Sequence, residues 1–232
     1  MNYRGRHFHP EIIVMCVRWY VAYALSYRNI EELMDERGIK VDHATINRWV
    51  VAYAEEFEKR FRKNHKFSVG GSWRMDETYI RIKGKWCYLY RAVDKEGNTI
   101  DFYLSQSRNN RSAIRFFKKA IASSGIPQTV NVDKSSANNI ALQSINEAYR
   151  MAANPKDAPD IIAIRRCKYL NNIIEQDHRG IKRITRPMMG FKSFRCAEAT
   201  LAGIELYRML RKGQAYNLKS QNHWQQFYEI AA

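Results

Sequence analysis

From Pro10 to about Arg62 the apolar positions recur at spacings of three and four, the period of a helix with one buried face. Ile12, Ile13, Cys16, Val17, Tyr20 and Ala24 form the first such stripe, and Pro10 stands where a helix's opening turn tolerates proline. A second helix is predicted over RNIEELMDER, about Arg28 to Arg37, stopped by Gly38. A third starts near Asp42, whose carboxylate suits the free amides at the head of DHATINRWVVAYAEEFEKRF. Two helices joined by a short turn have the layout of a helix-turn-helix, in which the second helix enters the DNA major groove. His43, Thr45, Asn47 and Arg48 are its candidate DNA-binding residues: Asn and Arg bond base edges in pairs, while Thr45 or His43 suits phosphate equally. An ordinary helical hairpin with a polar face has the same pattern.

After the basic, then glycine-rich stretch KNHKFSVGGS the period changes. WRMDETYIRIKG and KWCYLYRAVD read as strands joined through Lys83-Gly84, and NTIDFYLSQS, with Ile100, Phe102 and Leu104 alternating against polar neighbours, as a third. Then follow a helix from about Arg111 to Ser123, a strand in QTVNVD and a helix from about Ala137 to Arg150. The loop MAANPKDAPD, a short strand in IIAIR, a helix from about Asn171 to Thr185 and a long helix from about Ser193 to Lys212 complete the order. Strands and helices in the order βββαβαβα predict a mixed sheet with helices on its faces. The fold class is therefore α/β with an all-α helix-turn-helix domain in front. Expected boundaries are 1–65 for the helix-turn-helix, 66–72 for the linker, 73–213 for the mixed-sheet domain and 214–232 for a C-terminal tail. The stripe Ala197, Leu201, Ile204 and Leu210 on the last helix suits either the core or a subunit interface.

Charge adds a partner. Lys and Arg number 39 against 23 Asp and Glu, a net charge of +16, which favours a polyanion and makes nucleic acid the default expectation. No apolar run approaches the roughly 18 residues needed to span a bilayer, and the N-terminus lacks a signal-peptide layout, so a cytoplasmic protein is expected. Cys16, Cys87, Cys167 and Cys196 contain no CxxC pair and read as reduced, mostly buried thiols.

In so basic a chain three carboxylates stand out by position: Asp76 on the first strand, Asp133 at the end of the fourth, and Glu175 early in a helix. If the fourth strand lies beside the first, the two Asp side chains converge and the Glu arrives from the side. Few hard oxygen ligands with open positions are what two divalent metals acting on phosphate require. On the 171–185 helix, Leu170, Ile173, Ile174, Ile181 and Ile184 form the apolar stripe. Glu175 shares a polar edge with Asn171, His178 and Lys182, where Arg179 and Lys182 are placed to meet phosphates. Singly, each acid also suits a bland role: an edge-strand acid, a helix cap, a solvated helical charge. Strand alternation points Glu77 to the face opposite Asp76, which leaves it a secondary or structural role.

The blocks LSYRNIEELMDERGIKVDHATINRWV, WRMDETYIRIKGKWCYLYRAVD, DFYLSQSRN, NVDK, KYLNNIIEQDHRGIKR and MGFKSF resemble the insertion-sequence-six family of bacterial DDE transposases nearly end to end. The resemblance implies an RNase H-like core with a catalytic and metal-binding triad of Asp76, Asp133 and Glu175, served by two Mg²⁺ ions, with Mn²⁺ as the substitute. It also implies that Lys182 contacts terminal DNA; Asn171, His178 and Arg179 are further candidate DNA-binding residues from the helix itself. The implied activity is cleavage at the 3′ ends of terminal inverted repeats and strand transfer into target DNA to form cointegrates. The implied partners are double-stranded repeat and target DNA and further copies of the chain, as a homodimer or higher homo-oligomer, at a cytoplasmic, nucleoid-associated location. Two rival expectations remain: a non-catalytic helix-turn-helix regulator, and an RNase H-like nuclease that cleaves without joining.

Overall fold

Lys83 and Gly84 both take positive φ, 49° and 78°, the backbone that two-residue hairpin turns demand, and they join β1 (Ser72–Ile82) to β2 (Lys85–Asp94). A second turn, with Gly97 at φ 87°, leads into β3 (Thr99–Ser105). Asp94 closes that turn by accepting from the amides of Glu96 and Asn98. The structure is a computed structural model describing Tyr3 and residues 7–133, 136–152, 162–220 and 222–232. The expected loop MAANPKDAPD falls mostly outside them.

The remaining sheet elements are α4 (Asn110–Ser124), β4 (Thr129–Asn131), α5 (Ser136–Ala152) and β5 (Ala163–Arg165). Together the strands form one five-stranded sheet in the order β3-β2-β1-β4-β5. β2 and β3 are antiparallel, while β4 runs parallel to both β1 and β5. This is the mixed sheet of an RNase H-like core. Trp73, Met75, Tyr90, Ile100, Phe116, Phe117, Val130 and Leu142 fill the space between the sheet and α4 and α5. Sheet position thus follows from alternation: Trp73 and Met75 are buried on one side of β1, and Asp76 turns the other way. A 3₁₀ turn, Lys168–Asn171, precedes α6 (Asn172–Thr185).

The N-terminal helices are α1 (Pro10–Ala22), α2 (Tyr27–Asp35) and α3 (His43–Asn64). Pro10 stands in the first turn of α1. Ser26 and Asn29 form a reciprocal capping box on α2, and the Asp42 carboxylate accepts from the Thr45 amide to cap α3. Gly38, at φ 72°, makes the expected stop after α2.

Packing divides the chain differently from the expected boundaries. Residues 1–67, 81–84 and 180–232 form one compact unit, and 68–80 with 85–179 form the other. α7 (Phe194–Arg211) packs on α1 and α3, and the segment expected as a tail contains α8 (His223–Ala231), which packs on α7. Enclosed by α1, α3 and α8, α7 is buried nearly all round rather than along one stripe, which makes it core within the chain. Gly203 marks a close approach: a Cβ there would lie 2.6 Å from Val21 Cγ1 and 3.0 Å from the Ala54 Cβ. Of the four thiols, Cys16 and Cys87 are buried, Cys196 is half-buried and Cys167 is exposed.

Candidate active site

Parallel pairing of β1 with β4 aligns Ser72 with Thr129, Trp73 with Val130 and Arg74 with Asn131. Asp76 and Asp133 each lie two positions beyond that last pair, so continuing the register brings them side by side. One carboxylate oxygen from each of Asp76, Glu77 and Asp133 lies within 4.8 Å of the others, a group that could hold a metal ion. The convergence expected of the two Asp side chains is therefore present in the fold.

Glu77 differs from expectation. Alternation separates the directions in which the Asp76 and Glu77 side chains leave the strand, but the longer Glu side chain still brings its carboxylate to the cluster. It is held there by side chains from two other elements. Arg108 Nη2, in the loop before α4, donates to Glu77 Oε2 at 3.1 Å and to Asp133 Oδ2 at 3.4 Å. Asn138 Nδ2, on α5, donates to Glu77 Oε1 at 3.0 Å. The Glu77 side chain is only 4% exposed.

Glu175 stands on the first turn of α6 with its side chain exposed, outside the 4.8 Å group, yet near enough for its charge to act on Asp76. What sets α6 on the sheet is a series of buried polar contacts. Arg91 of β2, fully buried, donates from Nη2 to Asp177 Oδ2 at 2.6 Å. Asn131 Nδ2 donates to Asn171 Oδ1 at 2.6 Å and to the Cys167 carbonyl at 2.9 Å, and the Cys167 amide donates back to Asn131 Oδ1 at 3.0 Å. Asn171 Nδ2 donates in turn to the Met75 carbonyl of β1 at 3.4 Å. Since buried amides and charges are stable only when bonded, these contacts fix both the position and the rotation of the helix that carries Glu175.

Two of the residues expected to touch DNA are buried in the structure. Asn171 is 3% and His178 4% exposed. Both lie on the polar edge that the helical wheel predicts, but that edge faces the sheet: Asn171 clamps β4 to β1, and His178 Nδ1 lies 3.6 Å from Asp76 Oδ2. Further along the same helix, Arg179 is exposed and Lys182 half-buried.

The electrostatics follow from crowding. Burial pushes the Asp76 carboxyl up to about 7, and the charges of Glu77, Asp133 and Glu175 push the same way, against a hydrogen bond from the Glu77 amide. Burial also raises Glu77, opposed by the Arg108 guanidinium and by the bond from Asn138. A partly buried cluster of mutually repelling carboxylates is what a divalent cation relieves, and its donors are the hard oxygens such an ion takes. The residues therefore fit a divalent metal.

In the helical unit, His43 Nδ1 lies 3.0 Å from Glu31 Oε2 and 3.1 Å from Asp42 Oδ1, while Arg48 Nη2 donates to Thr45 Oγ1 at 2.6 Å. Arg48 is exposed, and His43, Thr45 and Asn47 are half-buried. His43, Asn47 and Arg48 line a cavity of about 660 Å³, together with Tyr27, Met188 and Lys192.

Sequence reasoning missed Arg108 and Asn138. The available signal was the block DFYLSQSRN, which ends in Arg108 and Asn109, but a loop arginine in so basic a chain carries no mark of its partner.

Comparison with known proteins places this geometry in a family. A family profile described as DDE domain matches residues 70–214, and one described as Transposase IS66 family matches residues 5–133. The transposase for insertion sequence-like element IS431mec of Staphylococcus aureus (strain Mu50 / ATCC 700699) is 43% identical over 217 residues, covering 92% of this chain and 91% of that protein. The transposase for insertion sequence element IS257 in transposon Tn4003 of Staphylococcus aureus is similar to the same extent, 43% identical with 92% and 91% covered. Among solved structures, the catalytic core domain of HTLV-2 integrase in complex with magnesium is 17% identical, with a TM-score of 0.47, covering 69% of this chain and 97% of that one. That likeness is too loose to add to the assignment, which rests on the domain match and the end-to-end identity: the chain belongs to the DDE transposases of insertion sequences.

Proposed function

We propose that this transposase binds the terminal inverted repeats of its element, cleaves their 3′ ends and joins them to target DNA, forming cointegrates, with Asp76, Asp133 and Glu175 as the catalytic, metal-binding triad. The observation that carries the reading is the pairing of β1 with β4, with Asp76 and Asp133 each two positions beyond Arg74 and Asn131. Glu175 approaches from a helix pinned by the Arg91–Asp177 and Asn131–Asn171 contacts. Two Mg²⁺ ions held there, for which Mn²⁺ would substitute, would lower the pKa of the attacking water or 3′ hydroxyl and stabilise the leaving 3′ oxygen.

The protein's own part is positional. His178 and the Glu77 amide orient the Asp76 carboxylate, and Arg108 and Asn138 fix Glu77 beside it. Arg179, exposed on α6, with Lys182 farther along that helix, would hold the phosphates of the strand being cut. Terminal-repeat recognition falls to the helix-turn-helix, with Asn47 and Arg48 reading bases and Thr45 and His43 holding backbone. Since two ends must be brought together, the active complex is a homodimer or higher homo-oligomer. The location is the bacterial cytoplasm, in association with the nucleoid.

The test is a strand-transfer assay with labelled terminal repeats and a target duplex, with Mg²⁺ and with chelator. Joined product that needs Mg²⁺ is the expected result. Nicked repeats without joined product would reduce the activity to that of a nuclease, and binding without either product would leave a regulator.

A further inference from the structure

Arg108 has no place in a triad, yet it bridges two acids of the cluster: one guanidinium nitrogen, Nη2, bonds Glu77 Oε2 at 3.1 Å and Asp133 Oδ2 at 3.4 Å. The two acids differ in setting. Glu77 is buried and bonded on its other oxygen by Asn138, whereas the Asp133 side chain is 36% exposed, as is that of Arg108. The contact with Asp133 is also the longer of the two, and a donor at 3.4 Å is near the limit of a hydrogen bond. A positive group that is firmly attached to a structural carboxylate and loosely attached to a ligand carboxylate occupies the same electrostatic position as an incoming cation.

We propose that Arg108 is a resident counter-ion of the active site, a positioning residue that neutralises Glu77 and Asp133 before a divalent ion arrives and yields Asp133 to that ion while remaining on Glu77. Glu77, in this account, is the anchor that keeps the arginine beside the cluster. The proposal rests on the reading of Asp133 as a metal ligand. It has a definite sign, because a guanidinium competing for Asp133 weakens metal binding, and its removal strengthens it. With effective dielectric constants suited to a partly exposed pair, the gain from deleting one such charge is roughly three- to tenfold in affinity.

The test is Mn²⁺ binding to the full chain without DNA, followed by isothermal titration calorimetry and by the loss of the free-ion paramagnetic resonance signal. Arg108→Gln is expected to bind Mn²⁺ about three- to tenfold more tightly than the unsubstituted protein. Arg108→Lys, which keeps the charge and loses the fork, should stay near the unsubstituted affinity. Arg111→Gln, an exposed arginine on the first turn of α4 outside the site, should leave it unchanged. Asp133→Asn separates the two readings. If Asp133→Asn abolishes binding but Arg108→Gln binds as before or more weakly, the counter-ion role is wrong and the metal site stands. If Mn²⁺ binds none of these proteins, or binds all of them alike, the metal site fails and the counter-ion role with it.

Discussion

His178 Nδ1 lies 3.6 Å from Asp76 Oδ2, with the imidazole buried between α6 and the sheet. A side chain so enclosed is placed to act through Asp76 rather than on DNA. His178→Ala is therefore expected to slow strand transfer by about tenfold or more, as losses of partners behind metal ligands do. Affinity for terminal-repeat DNA, read by gel shift, should stay unchanged. A variant that loses DNA affinity instead would restore the direct-contact role.

Asp76 links the site to stability. Its carboxyl titrates at about 7 in the folded protein against an ordinary 3.8, so the folded state binds the proton more tightly than the unfolded chain. The favourable contribution is complete below about 4 and is lost as pH rises through 7. Asp76→Asn removes that loss and should stabilise the protein at pH 8 by on the order of 3 kcal/mol, with little gain at pH 4. Thermal melts of both proteins across this range check the sign. Divalent ion added at pH 8 should raise the melting temperature of the unsubstituted protein and leave that of Asp76→Asn nearly unmoved.

The position of α6 depends on Arg91 and Asp177. Removing the carboxylate from beside a fully buried guanidinium is expected to cost on the order of 3 kcal/mol. Asp177→Ala should therefore unfold at a lower denaturant midpoint. It should also slow strand transfer in the fraction that remains folded, since Glu175 rides on the same helix.

How much of this was legible in the sequence depends on what a residue's meaning requires. The approach of Asp76 to Asp133 was legible because Asp76 lies on β1 and Asp133 two residues past the end of β4, so that it follows from the pairing of the two strands. The hairpin at Lys83-Gly84 and the cap at Asp42 are local events that their own residues specify. The burial of Asn171 and His178 was not legible because a helical wheel gives the face of a residue but not what covers it: Asn171 lies against Met75 and Asn131, and His178 against Asp76. Arg108 acquires its role only when the loop between β3 and α4 delivers it to Glu77 and Asp133 from a distant part of the chain. The packing of α7 and α8 with α1 and α3 likewise rests on contacts across most of the sequence, which no local period encodes.

The proposed recognition of terminal repeats by the helix-turn-helix has a measurable signature. Changing Asn47 and Arg48 together to Ala should remove the preference for terminal-repeat over random DNA, as measured by competition binding. Binding by the unsubstituted protein should fall steeply with salt, by roughly 0.9 log units per log unit of salt for each phosphate neutralised. A double variant that retains the preference would move base reading elsewhere.

The central claim is that Asp76, Asp133 and Glu175 act together as the catalytic triad. The direct measurement is strand transfer of labelled terminal repeats in Mg²⁺ by the unsubstituted protein and by Asp76→Ala, Asp133→Ala and Glu175→Ala, each first shown to be folded and to bind repeat DNA. Joined product is expected from the unsubstituted protein and none from any of the three variants. Joining at an undiminished rate by any one of them would contradict the claim.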